Sequence, residues 1–402
     1  MNNINSIIID DDSDNVDITN NSLGQFFTTN LDLQNKVYEF ILNEPTTILE
    51  PSIGQGHLVE RVLNSNPLII FDMYEIDSSI ELLDIICQND VIFCDFLLAT
   101  IAKKYKTIIG NPPFVKTKTG NLYIDFIKKC CDLLDDGGEL IFIVPSDFFK
   151  LTSASDLLNN MMSNGTFTNI YHPNLENLFE NAKIDVIVFR YCKDVNLVKK
   201  VLYNDRLLHI INSNGLITFS ENENLNTNLF EDYFNIYVGM VSGKEEVFKN
   251  TEFGNIDVLN GLGVVDRYIY YEELPPNNDE LRLYLFTNKD VLIGRKIKKF
   301  NENNWFEWGA ARNLKAIREN MGRECIYIYN LTRHPNVAFK GMVQYFGGNL
   351  LMLVPKRDCN LDRIIEYLNS PSFKQNFMFA NRFKIGHRQL SKSFIDNSYI
   401  NY

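Results

Sequence analysis

The sequence lacks the features that mark several specialised classes of protein. It has seven cysteines but no CxxC pair, and no histidine stands at zinc-binding spacing from them. No apolar run reaches membrane length, and the N-terminal region carries Asp10, Asp11, Asp12 and Asp14 where a leader peptide would be basic. We therefore expect no structural metal and no membrane span, and the unpatterned cysteines indicate an intracellular protein with reduced thiols.

Positive charge is also scarce, and its distribution is uneven. The net charge is −12, yet residues 1–229 hold 16 Lys and Arg against 31 Asp and Glu, whereas residues 230–402 hold 23 against 20. The charge balance of the second part of the chain therefore suits binding to a polyanion better than that of the first part. Its small positive excess is also close to neutral, so the charge alone does not identify a partner.

The composition that is present suits an ordinary globular protein of two domains. The chain has 402 residues, of which 45% are hydrophobic and 22% are charged, so a sizeable core can form. Residues 1–21 are polar and acidic without periodicity and predict a flexible arm. The run SENENLNTN, residues 220–228, has the composition of a linker. We predict a catalytic domain over 22–225 and a smaller α+β domain over 230–402.

Strand-like and helix-like segments alternate in the first domain. Helices are predicted at 31–43, 57–64, 78–88 and 123–136, and strands at 46–50, 69–77, 91–95, 107–110, 139–146, 167–172 and 183–191. This βαβ spacing predicts an α/β fold with a parallel, doubly wound, Rossmann-like sheet.

Polar side chains stand at the ends of four predicted strands. They are Glu50, Glu75, Asp95 and Asn111. In an open parallel sheet the carboxyl ends of the strands meet at one edge, where such folds bind ligands. The sequence therefore predicts a ligand site at this edge.

A glycine turn follows the first of these strand ends. In ILEPSIGQG, Gly54 and Gly56 permit close approach of the backbone to a ligand, although a plain strand–helix connection uses glycine too. Glu75 follows about twenty residues later, where a carboxylate can accept from ribose hydroxyls. The alternative for Glu75 is a surface acid at a strand end.

The pattern G-x-G-x-x-G is absent, as is a catalytic His or Lys near the strand ends, which disfavours an NAD-type oxidoreductase.

The third strand ends in Cys94-Asp95-Phe96. Asp95 is placed to accept a hydrogen bond from the amino group of an adenine, and Phe96 is placed to pack on its ring. Together with Glu75 these residues favour a nucleoside ligand.

The segment Asn111-Pro112-Pro113-Phe114 is the most specific indication of chemistry. The two prolines stiffen the loop and remove two N–H donors, so the carbonyl groups there are free to accept. An exocyclic amine on an aromatic ring is a poor nucleophile because its lone pair is delocalised. The Asn111 side-chain oxygen and the Pro112 carbonyl can both accept from such an amine, while Phe114 stacks on the ring. Positioning and electrostatics dominate such a reaction, and it needs no metal.

These motifs and their order resemble the gamma-class amino-methyltransferases of DNA, of which the TaqI modification enzyme is typical. The resemblance runs from about Gly24 into the C-terminal region and weakens after the linker. It implies an enzyme that transfers methyl from S-adenosyl-L-methionine (AdoMet) to N6 of a flipped-out adenine in double-stranded DNA. It also implies a monomer of bacterial or viral origin that acts beside a separate restriction endonuclease.

The resemblance assigns cofactor contacts residue by residue. GQFFTTN, residues 24–30, is similar to an N-terminal segment that folds over the methionine moiety, although Thr29 stands where the family often has proline. The expected AdoMet contacts are Thr29, Glu50, Ser52, Gly54, Glu75, Ile76, Asp95, Phe96, Asn111, Pro113 and Phe126.

The resemblance also assigns contacts to the target base and to DNA. NLFENAKIDVIVFRY, residues 177–191, is similar to the segment whose aromatic residue stacks on the flipped base, here Phe179, so that Phe114 and Phe179 would sandwich the base. Without the resemblance, Phe179 would be read as a core aromatic. Lys183 in the same loop is a candidate DNA contact.

The second part of the chain is expected to recognise the DNA target. YVGMVSGKEEVF, residues 237–248, is similar to the start of the family's target recognition domain. Near the C-terminus, Arg382, Lys384, His387 and Arg388 are candidates for contacts to phosphates or base edges. A solvated basic face explains these four residues equally well.

Other functions remain open at this point. A protein glutamine-N5 methyltransferase uses the same NPP loop, but the C-terminal domain and the Phe179 segment disfavour it. An RNA base methyltransferase is a further alternative. A catalytically dead DNA-binding homologue is disfavoured by the intact Glu75, Asp95 and NPPF loop.

Overall fold

The computed structural model describes residues 26–117, 120–179, 183–221, 228–274 and 279–400. The chain divides into two compact units, residues 1–221 and 222–402. The acidic arm predicted at residues 1–21 lies outside the described residues.

The first unit contains a large sheet with accompanying helices. Its described strands are β1 Thr47–Glu50, β2 Ile70–Glu75, β3 Val91–Phe93, β4 Tyr105–Gly110, β5 Lys116–Thr117, β6 Gly120–Asn121, β7 Leu134–Pro145, β8 Thr166–Tyr171, β9 Val186–Cys192, β10 Lys200–Tyr203, β11 Arg206–Ser213 and β12 Leu216–Ser220. Its described helices are α1 Leu31–Glu39, α2 His57–Ser65, α3 Leu122–Leu133 and α4 Ser155–Asn164.

Ten of these strands form one sheet, in the order β12-β11-β10-β8-β9-β7-β4-β1-β2-β3. The run from β7 through β4, β1 and β2 to β3 is parallel. This confirms the predicted α/β class. The carboxyl ends of β1, β2, β3 and β4 therefore lie at the same edge of the sheet.

The other half of the sheet is mixed, which the βαβ pattern did not predict. Strand β9 is antiparallel to both β7 and β8, and β10, β11 and β12 form antiparallel hairpins. The turns of these hairpins contain Asn204-Asp205 and Asn214-Gly215, all four with positive φ. Such short turns join antiparallel strands, whereas a parallel pair needs a longer crossover.

The core of the first unit is centred on β4 and β7. Residues 140–144 of β7, LIFIV, are all fully buried. A continuous apolar run of this kind suits a central strand covered on both faces rather than a strand with one wet face. These two strands place Asn111 directly beside the interior of the unit.

The helix predicted at 78–88 is wrong. The described structure has turns and irregular backbone over most of this segment, with a 3₁₀ turn at Gln88–Asp90. Leu83 N–H donates to the carbonyl of Gln55 in the glycine turn, at 3.0 Å, instead of to a helical carbonyl. Ile86 is buried with Ile53 in a small apolar cluster. Packing against the glycine turn therefore overrides the helical periodicity.

Two other helices are shorter than predicted. Helix α1 ends at Glu39 rather than 43, because the N–H groups of Leu42 and Asn43 donate to the buried carboxylate of Glu139 at 3.1–3.2 Å. Helix α3 ends at Leu133, and residues 134–136 already belong to β7. In both places a tertiary partner ends the helix before its apolar pattern does.

The second unit has the predicted α+β class. Its described strands are β13 Phe234–Val238, β14 Ile256–Gly261, β15 Val264–Tyr268, β16 Glu324–Tyr329, β17 Leu331–Thr332, β18 Ala338–Met342, β19 Leu350–Pro355, β20 Met378–Phe379 and β21 Arg382–Lys384. Its described helices are α5 Phe230–Tyr233, α6 Glu245–Phe248, α7 Asp279–Thr287, α8 Lys289–Ile293, α9 Leu314–Asn320, α10 Leu361–Asn369, α11 Pro371–Lys374 and α12 His387–Ser391.

The main sheet of the second unit is antiparallel, in the order β13-β19-β16-β18. A hairpin of β14 and β15 and a three-stranded sheet of β17, β21 and β20 accompany it. Across the described parts of both units, every helix is too short or too polar to cross a bilayer.

Candidate functional site

A pocket opens at the carboxyl edge of the parallel strands, within the first unit. Glu50 and Glu75 are the last residues of β1 and β2, and Asn111 directly follows β4. Asp95 lies two residues beyond β3. All four line this pocket, as the predicted strand ends required.

The structure brings together nearly all of the residues predicted to contact a cofactor. Apart from Thr29, each of them lines the pocket. Thr28 lines it in place of Thr29, together with Phe26 and Phe27. The sequence indicated this segment but not its register, because nothing in GQFFTTN shows which residues turn inward.

The glycine turn adopts a backbone conformation that favours glycine. Gly54 has φ +58° and Gly56 has φ +99°, both in the left-handed region. A Cβ at Gly56 would also lie 2.7 Å from Cγ1 of Ile86. Glycine is therefore required at position 56 for both conformation and space, and helix α2 begins at the next residue.

Glu75 holds this turn through its carboxylate. One oxygen accepts from Gly54 N–H at 2.9 Å, and the other accepts from the N–H groups of Ile76 and Asp77, both at 3.0 Å. A carboxylate has about four acceptor sites. Three are used within the protein, so Glu75 retains room for about one ribose hydroxyl rather than for both.

Glu50 is a buried carboxyl group in the same wall. Its side chain is 1% exposed, and Oε1 accepts from Ser52 N–H at 3.2 Å. Burial raises the pKa of Glu50 well above its ordinary value, and the nearby Glu75 raises it further, while the Ser52 hydrogen bond lowers it. A cationic group bound beside Glu50 would favour the ionised form.

An apolar wall lies beside Asp95. The rings of Phe96 and Phe126 stack with centroids 5.4 Å apart and planes 24° apart. The Lys129 ammonium lies 4.7 Å from the centroid of Phe96 and donates to the carbonyls of Phe96 and Ala99. Asp95 accepts from Leu97 N–H at 2.9 Å through Oδ1. The two rings and the Asp95 carboxylate are thus held in place by contacts within the first unit.

The side chain of Asn111 is held in place through its amide nitrogen. Its Nδ2 donates to the carbonyl of Phe26 at 2.7 Å and to Oγ1 of Thr28 at 3.0 Å. Its Oδ1 is buried and has no hydrogen-bond partner among the described residues. A buried acceptor without a partner is costly in a folded protein and is a common sign of a ligand contact. This oxygen is the acceptor that the NPPF sequence predicts for an amine.

Phe114 and Phe179 also come together, although they are 65 positions apart in the chain. Their ring centroids are 6.2 Å apart, but the planes meet at 76°. Phe26 contacts both rings and was not predicted to do so. The two predicted stacking residues are therefore adjacent, but they do not form the open, parallel slot that a sandwiched base needs.

A pair of buried polar side chains, His172 and Asp185, joins the two ends of the loop that carries Phe179. This loop leaves β8 at His172 and returns to β9 at Asp185, and His172 Nε2 lies 2.8 Å from Asp185 Oδ2. His172 Nδ1 lies 2.9 Å from the hydroxyl of Tyr203. Ser146 N–H, just beyond β7, donates to the Asp185 carbonyl at 2.9 Å. These contacts tie the ends of the loop to the sheet.

The candidate DNA contacts are less organised. Lys183 is exposed. In the second unit, Arg382 and Lys384 lie two residues apart on β21, both near the ring of Phe379. His387 Nε2 lies 3.0 Å from the carbonyl of Ile236, and Arg388 is half-buried. Their role in DNA binding stays a prediction.

Within the described ranges, no group of three or more His, Cys, Asp or Glu side chains is arranged to hold a metal ion. All seven cysteines carry free thiols.

Comparison with known proteins relates the first unit to modification enzymes. Residues 5–179 match the family described as Eco57I restriction-modification methylase. Type II methyltransferase M.HincII of Haemophilus influenzae is 30% identical over 198 residues, which is 44% of this chain and 38% of that protein. Type II methyltransferase M.MjaIV of Methanocaldococcus jannaschii is 29% identical over 189 residues, 40% of this chain and 62% of that protein. The chain thus spans less than two thirds of these relatives.

The fold of the chain is also found in a solved restriction-modification enzyme. The Type IIL enzyme MmeI, determined in complex with DNA, aligns with a TM-score of 0.56 at 10% identity. The alignment covers 90% of this chain and 63% of MmeI. At this identity the likeness concerns the fold, which it shares over nearly the whole chain.

Proposed function

We propose that this protein is a DNA methyltransferase that transfers a methyl group from AdoMet to N6 of an adenine in double-stranded DNA. The observation that carries the proposal is the buried Oδ1 of Asn111 in the NPPF loop, which has no hydrogen-bond partner in the described part of the chain and lies at the edge of the strand-end pocket. The similarity of residues 5–179 to restriction-modification methylases supports the same conclusion.

The charges and apolar surfaces of the pocket residues suit AdoMet. Phe96 and Phe126 supply flat apolar surface for an adenine ring, and Asp95 keeps a second carboxylate oxygen for its amino group. Glu75 has capacity for about one ribose hydroxyl. The buried Glu50 is suited to the ammonium group of the methionine end, since a cation there would offset the cost of ionising it. When bound, AdoMet supplies an electrophilic methyl group on sulfur.

The NPPF loop would act on the other reactant, the adenine amine. Asn111 Oδ1 accepts a hydrogen bond from the amine, and the Pro112 carbonyl accepts a second. Both bonds draw the nitrogen towards tetrahedral geometry and make its lone pair available. Since Asn111 Nδ2 is fixed by Phe26 and Thr28, the acceptor is oriented before the base arrives. Such preorganisation is the main source of catalysis when no covalent step is shared with the protein.

The base must leave the duplex to reach this loop. An adenine stacked in DNA does not expose its amine to a buried site, so flipping is required. Phe114 and Phe179 would stack on the extruded base, and each such contact contributes about 1–3 kcal/mol. That is comparable with the few kcal/mol needed to unstack a base.

Target recognition would fall to the second unit. The match to the family and the alignments with M.HincII and M.MjaIV each cover less than half of the chain. The fold likeness to MmeI covers 90% of it and so includes the second unit. Residues 230–402 also carry the more positive share of the charge. A role beside a separate restriction endonuclease belongs to the same proposal.

The proposal is tested by methyl transfer from radiolabelled AdoMet to three substrates in parallel. These are unmodified double-stranded DNA, RNA and a glutamine-bearing protein. We expect label in DNA alone, and sequencing of the modified positions would then give the recognition sequence. Label confined to RNA or to protein would overturn the substrate, and AdoMet that fails to bind would overturn the enzymatic function.

A further inference from the structure

The side chain of Phe26 closes the aromatic cluster of Phe26, Phe114 and Phe179. Its ring stacks on Phe114, with centroids 5.6 Å apart and planes 22° apart. It meets Phe179 at 5.9 Å and 55°. Phe114 and Phe179 lie 6.2 Å apart and nearly perpendicular, at 76°. The three rings therefore form a closed triangle, in which Phe114 is 9% exposed and Phe179 is 5% exposed.

This triangle has no room for a purine. Contacting carbon atoms lie about 3.5–4.0 Å apart, so two rings that enclose a base must be parallel and about 7–8 Å apart. Phe114 and Phe179 are closer than this and are not parallel. In addition, one face of Phe114 is already covered by Phe26 in a near-parallel stack. A base that stacks on that face must take the place of the Phe26 ring.

Phe26 also belongs to the cofactor side of the site. It lines the strand-edge pocket together with Asn111. Its carbonyl accepts from Asn111 Nδ2, and Thr28 Oγ1 provides a second anchor for the same nitrogen. The backbone of Phe26 is therefore tied to the catalytic loop, whereas its ring is free of hydrogen bonds and can turn about its side-chain torsions without breaking them.

We propose that the Phe26 ring stands in for the target base in the DNA-free protein and controls base entry into the site. This inference rests on the proposed function, because it concerns the base that this function requires. The arriving adenine displaces the ring from Phe114, while the Phe26 carbonyl stays bonded to Asn111. Until then the ring covers the aromatic surface beside the reactive amide, so the surface is not left open to water.

The test uses duplex DNA with 2-aminopurine at the adenine that the wild-type protein methylates, and saturating S-adenosylhomocysteine. Fluorescence of 2-aminopurine rises when the base leaves the stack. In Phe26→Ala the base no longer competes with a stacked ring, so we expect higher fluorescence and about tenfold tighter duplex binding. Phe26→Leu keeps apolar volume without a flat ring. Its fluorescence and its duplex affinity should lie between those of the wild type and those of Phe26→Ala.

A matched control removes a phenyl ring elsewhere in the same unit. Phe71 on β2 is half-buried and does not line the pocket. Phe71→Ala should leave fluorescence and affinity at wild-type values. If folded Phe26→Ala shows unchanged or lower fluorescence and affinity, Phe26 does not compete with the base, and the inference is overturned. If the wild-type protein transfers no methyl group to DNA, the proposed function itself fails, whatever the variants show.

Discussion

Replacement of Asn111 separates two roles that the structure gives to one side chain. In the proposed function Oδ1, which has no hydrogen-bond partner among the described residues, accepts from the substrate amine, and Nδ2 donates to Phe26 and Thr28. Asn111→Ala removes both. Loss of one preorganised hydrogen-bonding group in an active site lowers kcat by about 10²–10³-fold. We expect a loss of at least this size.

The anchoring role predicts a smaller effect on the cofactor. Without Nδ2, the Phe26 carbonyl loses its partner, at a cost of about 1–3 kcal/mol. Part of this loss would weaken AdoMet binding, because Phe26 and Thr28 both line the pocket. The dissociation constant of AdoMet in Asn111→Ala should therefore rise by about tenfold or less, as measured by titration calorimetry.

Thr28→Val is the matched control. It removes one acceptor of Asn111 Nδ2 with little change of shape and leaves Oδ1 in place. In single-turnover transfer of labelled methyl to DNA, this variant should lose less than about tenfold, as expected for one neutral hydrogen bond. Turnover of Asn111→Ala within tenfold of the wild type would refute the role of Oδ1, as would an equal loss in Thr28→Val.

Three further predictions concern other parts of the site. Because the pKa of Glu50 is raised in the folded state, its contribution to stability is fully present below its ordinary pKa of 4.5 and is lost as the pH rises through the folded-state pKa. Glu50→Gln should therefore melt higher than the wild type at neutral pH, by a margin that narrows towards pH 4.5, while binding AdoMet more weakly; melting curves that shift in parallel would contradict this. Phe179→Ala should lower the transfer rate by about 5- to 150-fold, the value of one stacking contact, with duplex affinity affected less; an unchanged rate would remove Phe179 from the base site. His172→Ala removes the hydrogen-bond partner of the buried Asp185 Oδ2 and should lower the free energy of unfolding by about 1–3 kcal/mol, whereas the same change at the partly exposed His209 should cost under about 0.5 kcal/mol; equal denaturant midpoints for the two variants would show that the pair does not secure the loop.

The strand ends of the first unit were predictable because local signals determine them. Apolar runs of four to six residues end at Glu50, Glu75 and Gly110 in the structure, close to the predicted bounds. Parallel pairing then brings these ends to one edge without further information. The residues expected to meet a cofactor, apart from Thr29, consequently line one pocket.

Features that depend on distant partners were not predictable from local pattern. The segment 78–88 has helical periodicity, but Leu83 bonds to Gln55 and the segment wraps the glycine turn. The ring of Phe26 contacts those of Phe114 and Phe179, which lie 88 and 153 residues further along the chain. No periodicity encodes such a contact, and only the folded chain shows that the aromatic cluster is closed.

The second unit was predictable only in class. Its short strands pair across large separations, for example β13 with β19, residues 234–238 with 351–355. Neither turn chemistry nor alternation in the sequence selects such partners. For the same reason, the candidate DNA contacts on β21 and α12 were assigned by resemblance and not by local pattern.

In the proposed function, the NPPF loop directs methyl transfer to an adenine amine. The most direct measurement is mass spectrometry of nucleosides from DNA that has been incubated with the protein and AdoMet, with Asn111→Ala in parallel. We expect N6-methyl-2′-deoxyadenosine as the methylated product with the wild-type protein, and its near disappearance with the variant. Methylated cytosine in its place, or the same adenine product from both proteins, would contradict it.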